Sequence, residues 1–250
     1  MITTRSVNPW VSIPEQNSRS SLRLFCFPYA GGNGSMFRTW SHELGTTIDV
    51  CPIYLPGREK RLNEAPIAQI VPLVQALADA LYPYLLDKPF AFFGHSMGGL
   101  ISFELFRELR RQYAPLPVKM LISAYKAPHL KVTNSPIHHL PEVDFINALR
   151  RYQGISDAIV QNPEMMELLM PILRADFTLC ETYVYTSEEP LDCPISVLGG
   201  LEDKYVSYES LAAWQNHTRS SFSIKMFPGN HFFLNDARDL LLQFIAQELT

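Results

Sequence analysis

The sequence lacks a strong excess of charge of either sign. Its 250 residues include 21 lysines and arginines against 25 aspartates and glutamates, a formal net charge of −4. Nucleic acids and anionic membranes attract clustered positive charge, so the overall charge favours neither partner. No run reaches the 18 apolar residues of a membrane span, and residues 1–21 lack the apolar core of a secretory signal. We therefore expect a cytoplasmic protein that binds neither nucleic acid nor membrane.

Cysteine is also scarce. The four cysteines are never in Cys-x-x-Cys spacing, and three of them lie in or beside apolar, strand-like runs. A buried, reduced thiol is the usual occupant of such a position. Because no metal-binding spacing is present, we also expect no metal and no other cofactor. The cysteines are Cys26, Cys51, Cys180 and Cys193.

Hydrophobic residues make up 47% of the sequence and charged residues 18%. That balance lets a chain of this length bury a substantial core. We predict one domain over residues 1–250, with residues 1–21 as an N-terminal arm to which we assign no function. We expect the protein to be a monomer.

The most informative stretch is an apolar run followed by Gly-x-Ser-x-Gly. Residues 90–93 carry no charge, which is typical of a buried parallel strand, and apolar residues at helical spacing begin at Leu100. Between them, the glycines of residues 94–98 allow a turn tight enough to expose Ser96 at the carboxyl end of the strand. We predict that Ser96 is a catalytic nucleophile. The adjacent His95 would point away from it and pack in the interior.

Strand-like and helix-like segments alternate along most of the chain. Alternation of this kind predicts a mostly parallel sheet flanked by helices, with right-handed crossovers. The strands are predicted at 22–27, 48–54, 90–93, 118–123, 194–200 and 222–227, and the helices at 36–44, 67–86, 96–112 and 240–249.

The alternation fails between residues 128 and 190. Here two helices, at 140–152 and 163–185, follow each other with no strand between them. We predict that this insertion is a lid. Its methionines and leucines either form an adaptable wall for an apolar acyl chain or simply pack the insertion onto the sheet. The apolar residues of the second helix include Met165, Met166, Leu168, Leu169, Met170, Ile172, Leu173 and Phe177.

An acidic residue and a histidine follow the last two predicted strands. Asp203 comes just after the strand at 194–200, and His231 lies beyond the final strand, which gives the chain order Ser, Asp, His. Glu202 and Asp192 are rival acids, but Asp192 precedes its strand and would lie at the wrong end of the sheet. We predict Asp203 and His231 as the partners of Ser96, against a solvated acid that caps the next helix.

The glycine-rich loop after the first strand predicts an oxyanion hole. Its free backbone N–H groups can point into a site, and the N–H of Met97 would supply a second donor at a helix N-terminus. Ala30 is the predicted first donor, with Tyr29 and Gly31 as alternatives. A simple connecting turn is the other interpretation.

Six motifs occur together in one order, and their combination resembles the type II thioesterases. They lie at residues 27–32, 55–59, 94–99, 174–176, 199–203 and 231–234, so the resemblance covers residues 22–249. It implies an α/β-hydrolase fold with a mobile helical lid, and a triad of Ser96, Asp203 and His231. It also implies transient binding of an acyl or peptidyl carrier protein, with hydrolysis of acyl groups from its phosphopantetheine arm to edit or release chains. The chain departs from the family in having Asn230 where glycine is usual, and in its longer N-terminal arm.

Two further interpretations concern charged residues. The loop residues Arg58, Lys60 and Arg61 are candidates for docking an acidic carrier protein, against a solvated, salt-bridged loop. Arg174 and Asp176 are predicted to be a structural pair or a tie between helix and loop.

The sequence alone leaves two other functions open. The same catalytic residues suit a carboxylesterase, a lipase or an acyltransferase. More remotely, the fold could serve as a non-catalytic binding module.

Overall fold

A computed structural model describes residues 8–14, 19–131, 135–151 and 157–250. Parts of the predicted N-terminal arm (1–7 and 15–18) and of the predicted insertion (132–134 and 152–156) lie outside the described residues.

The described residues form one six-stranded parallel sheet with the strand order β2-β1-β3-β4-β5-β6. Because β1 leads outward to β2 and the chain then returns to β3, the order reverses between β1 and β3. Ligand sites of open parallel sheets lie at such a reversal, beyond the carboxyl ends of the strands. The strands are β1 (Leu22–Phe27), β2 (Ile48–Pro52), β3 (Phe90–His95), β4 (Lys119–Ser123), β5 (Ile195–Gly200) and β6 (Phe222–Phe227).

Helices cover both faces of this sheet. Alternate residues of β1 pack to opposite sides, with Phe25 and Phe27 in one apolar layer and Leu24 in the other. The helices α2 and α3 bury their apolar faces in the first layer, and α1 and α9 in the second. The helices are α1 (Trp40–Glu43), α2 (Ile70–Leu81), α3 (Met97–Arg111), α4 (Glu142–Arg151), α5 (Asp157–Val160), α6 (Pro163–Glu181), α7 (Tyr208–Ala212), α8 (Phe233–Asp236) and α9 (Arg238–Leu249).

In two predicted helices, a 3₁₀ turn takes the place of part of the α-helix. Residues 36–44 form a 3₁₀ turn (Gly34–Phe37) followed by the short α1, since apolar residues spaced three and four apart suit either form. The helix predicted over 67–86 ends at Leu81, where a 3₁₀ turn containing Pro83 replaces it, because proline cannot donate a helical hydrogen bond.

The insertion between β4 and β5 contains α4, α5 and α6. These helices build their own apolar cluster, which includes Phe145, Leu149, Met166 and Leu173. Asn162 caps α6 by accepting a hydrogen bond from the N–H of Met165 at 3.2 Å. The insertion is therefore a helical unit with an interior of its own; a role as a lid stays a prediction.

The remaining compositional expectations concern cysteines and membrane spans. All four cysteines are free thiols, and three of them are buried. None of the helices in the described ranges is long and apolar enough to cross a bilayer.

Candidate active site

Ser96 occupies a strained turn between β3 and α3. Its backbone has φ 52° and ψ −118°, a conformation that non-glycine residues rarely adopt. The turn fits only because glycines flank it: a Cβ on Gly94 would lie 2.1 Å from the carbonyl oxygen of Gly98, and one on Gly98 would lie 2.1 Å from that of Phe27. A hydrogen bond from the N–H of Ser96 to the carbonyl of Ser123 (2.7 Å) attaches the turn to β4.

The structure brings Ser96, His231 and Asp203 together in a hydrogen-bonded row. His231 Nε2 lies 3.1 Å from Ser96 Oγ, and His231 Nδ1 lies 2.7 Å from Asp203 Oδ2. The Asp203 side chain is fully buried, and its Oδ1 accepts hydrogen bonds from the N–H groups of Tyr205 (2.8 Å) and Val206 (3.1 Å). This order lets a carboxylate orient an imidazole whose other nitrogen faces a hydroxyl.

Hydrogen bonds between the ends of β5 and β6 hold the acid and the histidine in register. The N–H of Leu201 donates to the carbonyl of Phe227 (2.8 Å), and that of Glu202 to the carbonyl of Gly229 (2.9 Å). Asn230, where the family usually has glycine, accepts a hydrogen bond from the N–H of Phe232 (2.8 Å) through its side chain. The departure from the family pattern therefore adds a contact within the histidine loop.

The rival acids lie elsewhere. Glu202 points its side chain into solvent, and Asp192 is exposed before the start of β5, at the opposite end of the sheet. His95 is buried, with Nδ1 2.8 Å from Ser123 Oγ, as expected for an interior residue. Burial, and secondarily the nearby His231, hold the pKa of His95 well below its usual range, so it stays neutral.

The glycine-rich loop after β1 faces Ser96, and Ala30 and Ser96 line the same pocket. The N–H of Gly31 donates to Asp176 Oδ2 (2.7 Å), so this alternative donor is already engaged. By contrast, the amides of Ala30 and Met97 have no acceptor among the described residues. Both are therefore free to receive a negatively charged oxygen.

Asp176 and Arg58 form a buried ion pair that the sequence does not reveal. Arg58 Nη2 lies 2.7 Å from Asp176 Oδ1, and Arg58 Nη1 lies 2.8 Å from Oδ2. Arg58 also donates to the carbonyl of Gly32 (3.0 Å), so the pair ties α6 to the glycine-rich loop. The motif at 174–176 draws attention to Asp176. No local spacing identifies Arg58 as its partner, because the two residues are 118 positions apart in the sequence.

The structure corrects one prediction about charged residues and decides between the alternatives of another. Arg58 and Arg61 are only 5% and 4% exposed, so neither can dock a partner; burial is invisible in a short charged run. Arg174 does not pair with Asp176, because residues two apart on a helix point in different directions. Arg174 instead donates to the carbonyls of His138 and Leu140, a tie between helix and loop as expected.

A pocket of about 220 Å³ opens beside Ser96 and His231. Its wall on the insertion side contains Leu149, Leu173, Phe177 and Cys180. None of the predicted methionines lines it: Met165 is exposed on α6, whereas Met166 is buried inside the insertion's own cluster. The remaining lining residues are Tyr29, Ala30, Ala124, Tyr125, Lys126, Glu181, Tyr205, Val206 and Phe232.

A parallel sheet with a serine on a strained turn after β3, an acid after β5 and a histidine after β6 defines an α/β-hydrolase. Residues 22–249 match the family model for the thioesterase domain. The chain therefore belongs to the thioesterase family, and the type II class predicted from its motifs is confirmed. It is an enzyme that hydrolyses acyl thioesters.

Individual relatives agree with this assignment. The gramicidin S biosynthesis protein GrsT of Aneurinibacillus migulanus is 44% identical over 243 residues, covering 97% of this chain and 94% of the relative. The structure of the RedJ thioesterase from the prodiginine pathway of Streptomyces coelicolor has a TM-score of 0.87 at 39% identity, covering 95% of this chain and 89% of that one. The type II thioesterase BorB of the borrelidin cluster has a TM-score of 0.83 at 32% identity, covering 96% and 98%.

Proposed function

We propose that the protein hydrolyses acyl groups from the phosphopantetheine arm of carrier proteins in nonribosomal peptide or polyketide synthesis, with Ser96, His231 and Asp203 as its catalytic residues. The observation that carries the proposal is the hydrogen-bonded row from Ser96 Oγ through His231 to Asp203 in a thioesterase chain. Type II thioesterases act on carrier-bound substrates, and the type II thioesterase BorB comes from the borrelidin biosynthetic cluster.

In the first half of the reaction, Ser96 Oγ attacks the thioester carbonyl carbon while His231 Nε2 takes the hydroxyl proton. Asp203 holds the imidazole with Nδ1 protonated and stabilises its charged form. The N–H groups of Ala30 and Met97 donate to the oxyanion, and each such donor typically contributes roughly 3 to 4 kcal/mol. The C–S bond then breaks, and the thiol leaves with the proton from His231.

In the second half, His231 takes a proton from water, and the resulting hydroxide attacks the acyl-Ser96 ester. Collapse of that intermediate returns the proton to Ser96 and releases the carboxylic acid. A thiol has a pKa of about 8.5, well below that of an alcohol, so thioester cleavage depends less on protonation of the leaving group than ester cleavage does. These steps use only side chains, backbone amides and water.

The pocket supports an acyl chain that is short and largely apolar. Aromatic and aliphatic side chains form most of its wall, and its volume of about 220 Å³ limits what fits. We further propose that the enzyme acts as a monomer in the cytoplasm, where its four free thiols would stay reduced.

A comparison of matched substrates tests the reaction. We expect kcat/KM for an acyl-carrier thioester, and for the matching acyl-N-acetylcysteamine, to exceed that for an oxygen ester of the same acyl group. Preference for the oxygen ester would instead indicate a carboxylesterase or lipase.

A covalent probe tests the catalytic residue. A fluorophosphonate should label the wild type but not Ser96→Ala. The control variant Ser102→Ala should still be labelled, because the Ser102 hydroxyl that it removes is buried and donates to the carbonyl of Gly99. Absence of labelling in the wild type would indicate a non-catalytic binding module.

A further inference from the structure

Four basic side chains lie around the mouth of the pocket without a carboxylate partner. Elsewhere, many lysines and arginines form ion pairs, as Arg107 does with Glu104 and Lys119 with Glu248. The four mouth residues form no ion pair with any carboxylate in the described part of the chain. We call them the basic cluster: Lys126, Lys131, Arg151 and Lys204.

Contacts along the segment after β4 place the first two members at the mouth. Lys126 lines the pocket, and its Nζ donates to the carbonyl oxygen of Lys131 at 2.8 Å. The N–H of Ala127 donates to the carbonyl of Ser210 (3.0 Å), which joins this segment to the one after β5. Lys131 itself extends into solvent.

Contacts of Tyr205 place the other two members. Tyr205 lines the pocket with its ring 6.2 Å from that of His231, and its hydroxyl donates to the carbonyl of Arg151 at the end of α4. Lys204 directly precedes it and is exposed, as is the side chain of Arg151. Three separate segments therefore bring their cations to one opening.

The local charge differs in sign from that of the whole protein. Two exposed carboxylates, Glu202 and Glu209, lie on the segment after β5, and Glu181 lines the pocket, so four cations face three anions. The mouth keeps an excess of one positive charge, on a protein whose formal net charge is −4. A positive region of this kind, placed where substrate enters, attracts an anionic partner.

We propose that the basic cluster docks an acidic carrier protein, an inference that rests on the proposed function. The phosphopantetheine arm is attached through a phosphodiester, so the partner necessarily brings negative charge towards the mouth as its thioester enters. Exposed apolar side chains on the same segment, Leu201 (66% exposed) and Tyr208 (54%), provide the apolar contact that transient interfaces also need. This docking surface differs from the one first predicted at Arg58, Lys60 and Arg61, of which Arg58 and Arg61 are buried.

A charge-reversal pair tests this surface without altering the pocket. The double variant Lys131→Glu/Lys204→Glu changes only side chains, so the backbone carbonyl of residue 131 still accepts the hydrogen bond from Lys126. Lys204 does not line the pocket. We expect kcat/KM for an acetyl-carrier protein to fall about tenfold at low salt, with the loss shrinking at high salt, because steering by exposed charges is screened. The value for acetyl-N-acetylcysteamine, which has no carrier and no phosphate, should not change.

A second pair with the same charge change serves as the control. Lys60 follows the edge strand β2 and Lys225 lies within the edge strand β6; both are exposed and neither lines the pocket. Lys60→Glu/Lys225→Glu should keep wild-type kcat/KM on both substrates.

Each other result overturns the inference in a distinguishable way. If the wild type hydrolyses the acetyl-carrier protein and the two pairs behave alike, the docking surface is wrong and the proposed function stands. If Lys131→Glu/Lys204→Glu lowers kcat/KM equally for both substrates, the basic cluster affects the reaction and not docking. If the wild type leaves the carrier thioester intact, the proposed function fails and the docking inference fails with it.

Discussion

The carboxyl end of the sheet and the helical insertion above it are built in different ways. At the sheet, backbone contacts fix the proposed catalytic side chains: the turn at Ser96 tolerates only glycine at positions 94 and 98, and backbone hydrogen bonds join the loops of Asp203 and His231. The insertion has its own apolar cluster, and it joins the rest of the molecule through Leu179 of α6, which packs in the main apolar layer, and through polar ties such as that of Asp176. The proposed machinery for bond cleavage is thus placed by the sheet, whereas one side of the pocket wall comes from the insertion.

The largest effect is expected at the sheet, on catalysis. In Asp203→Asn, the amide no longer favours the tautomer of His231 that accepts the proton of Ser96, and kcat should fall by about 10³-fold to 10⁴-fold. Steady-state hydrolysis of acetyl-N-acetylcysteamine measures this, and the unfolding midpoint verifies that the variant is folded.

Asp192→Asn is the matched control, because it changes an exposed acid at the other end of β5. It should retain wild-type kcat. If kcat fell strongly in Asp192→Asn, or stayed at the wild-type value in Asp203→Asn, the acid would have been assigned to the wrong residue.

The next largest effect concerns the tie between the two regions. Asp176→Ala leaves the guanidinium of Arg58 buried without its partner, which typically costs 3–5 kcal/mol. The free energy of unfolding in urea should fall by about that amount.

Glu43→Ala provides the comparison, since it breaks an ion pair with Arg238 in which both side chains are at least one-third exposed. Such a pair contributes at most about 1 kcal/mol. If the free energy of unfolding fell equally in the two variants, the insertion would not be anchored through Asp176.

The same division explains what the sequence could predict. The turn at Ser96 is encoded locally, by glycines and an apolar strand, and Asp203 and His231 follow from the chain order of a parallel sheet. The insertion offers no such rule, because its wall depends on which helix face meets the pocket. Met165 and Leu173 have similar hydrophobicity, yet the first faces solvent and the second lines the pocket. Arg58 was misassigned for the same reason, since its partner lies in a distant part of the chain.

A third prediction concerns pH and the histidine pair where the insertion's return segment meets the sheet. His217 is buried against Phe103 and Trp214, with Nε2 2.7 Å from His129 Nδ1. Burial, then His129 and Arg107, lower the pKa of His217 from 6.5 to about 4. Between these two values the unfolded chain binds the extra proton, so stability falls as the pH falls.

The expected loss from this histidine between pH 7 and pH 5 is about 2 kcal/mol, at 1.36 kcal/mol per pH unit below 6.5. His217→Gln should remove that part of the pH dependence, whereas His42→Gln, at an exposed position in α1, should keep it. Urea unfolding at pH 7, 6 and 5 measures the three slopes. Parallel slopes for His217→Gln and the wild type would show that His217 does not titrate in this way.

The smallest effect is expected where the insertion meets the substrate. Phe177 lines the pocket and packs edge-on against Phe145 inside the insertion, with ring centroids 5.8 Å apart. Phe177→Ala should extend the pocket into the insertion without moving Ser96. The ratio of kcat/KM for octanoyl thioesters to kcat/KM for acetyl thioesters should then rise about tenfold, because each newly buried methylene contributes about 0.8 kcal/mol. Leu168→Ala removes an exposed side chain from the same helix and should leave the ratio unchanged. A ratio that stays constant in Phe177→Ala, or a fall in kcat on both substrates, would mean that the insertion and the catalytic end of the sheet are not separable in function.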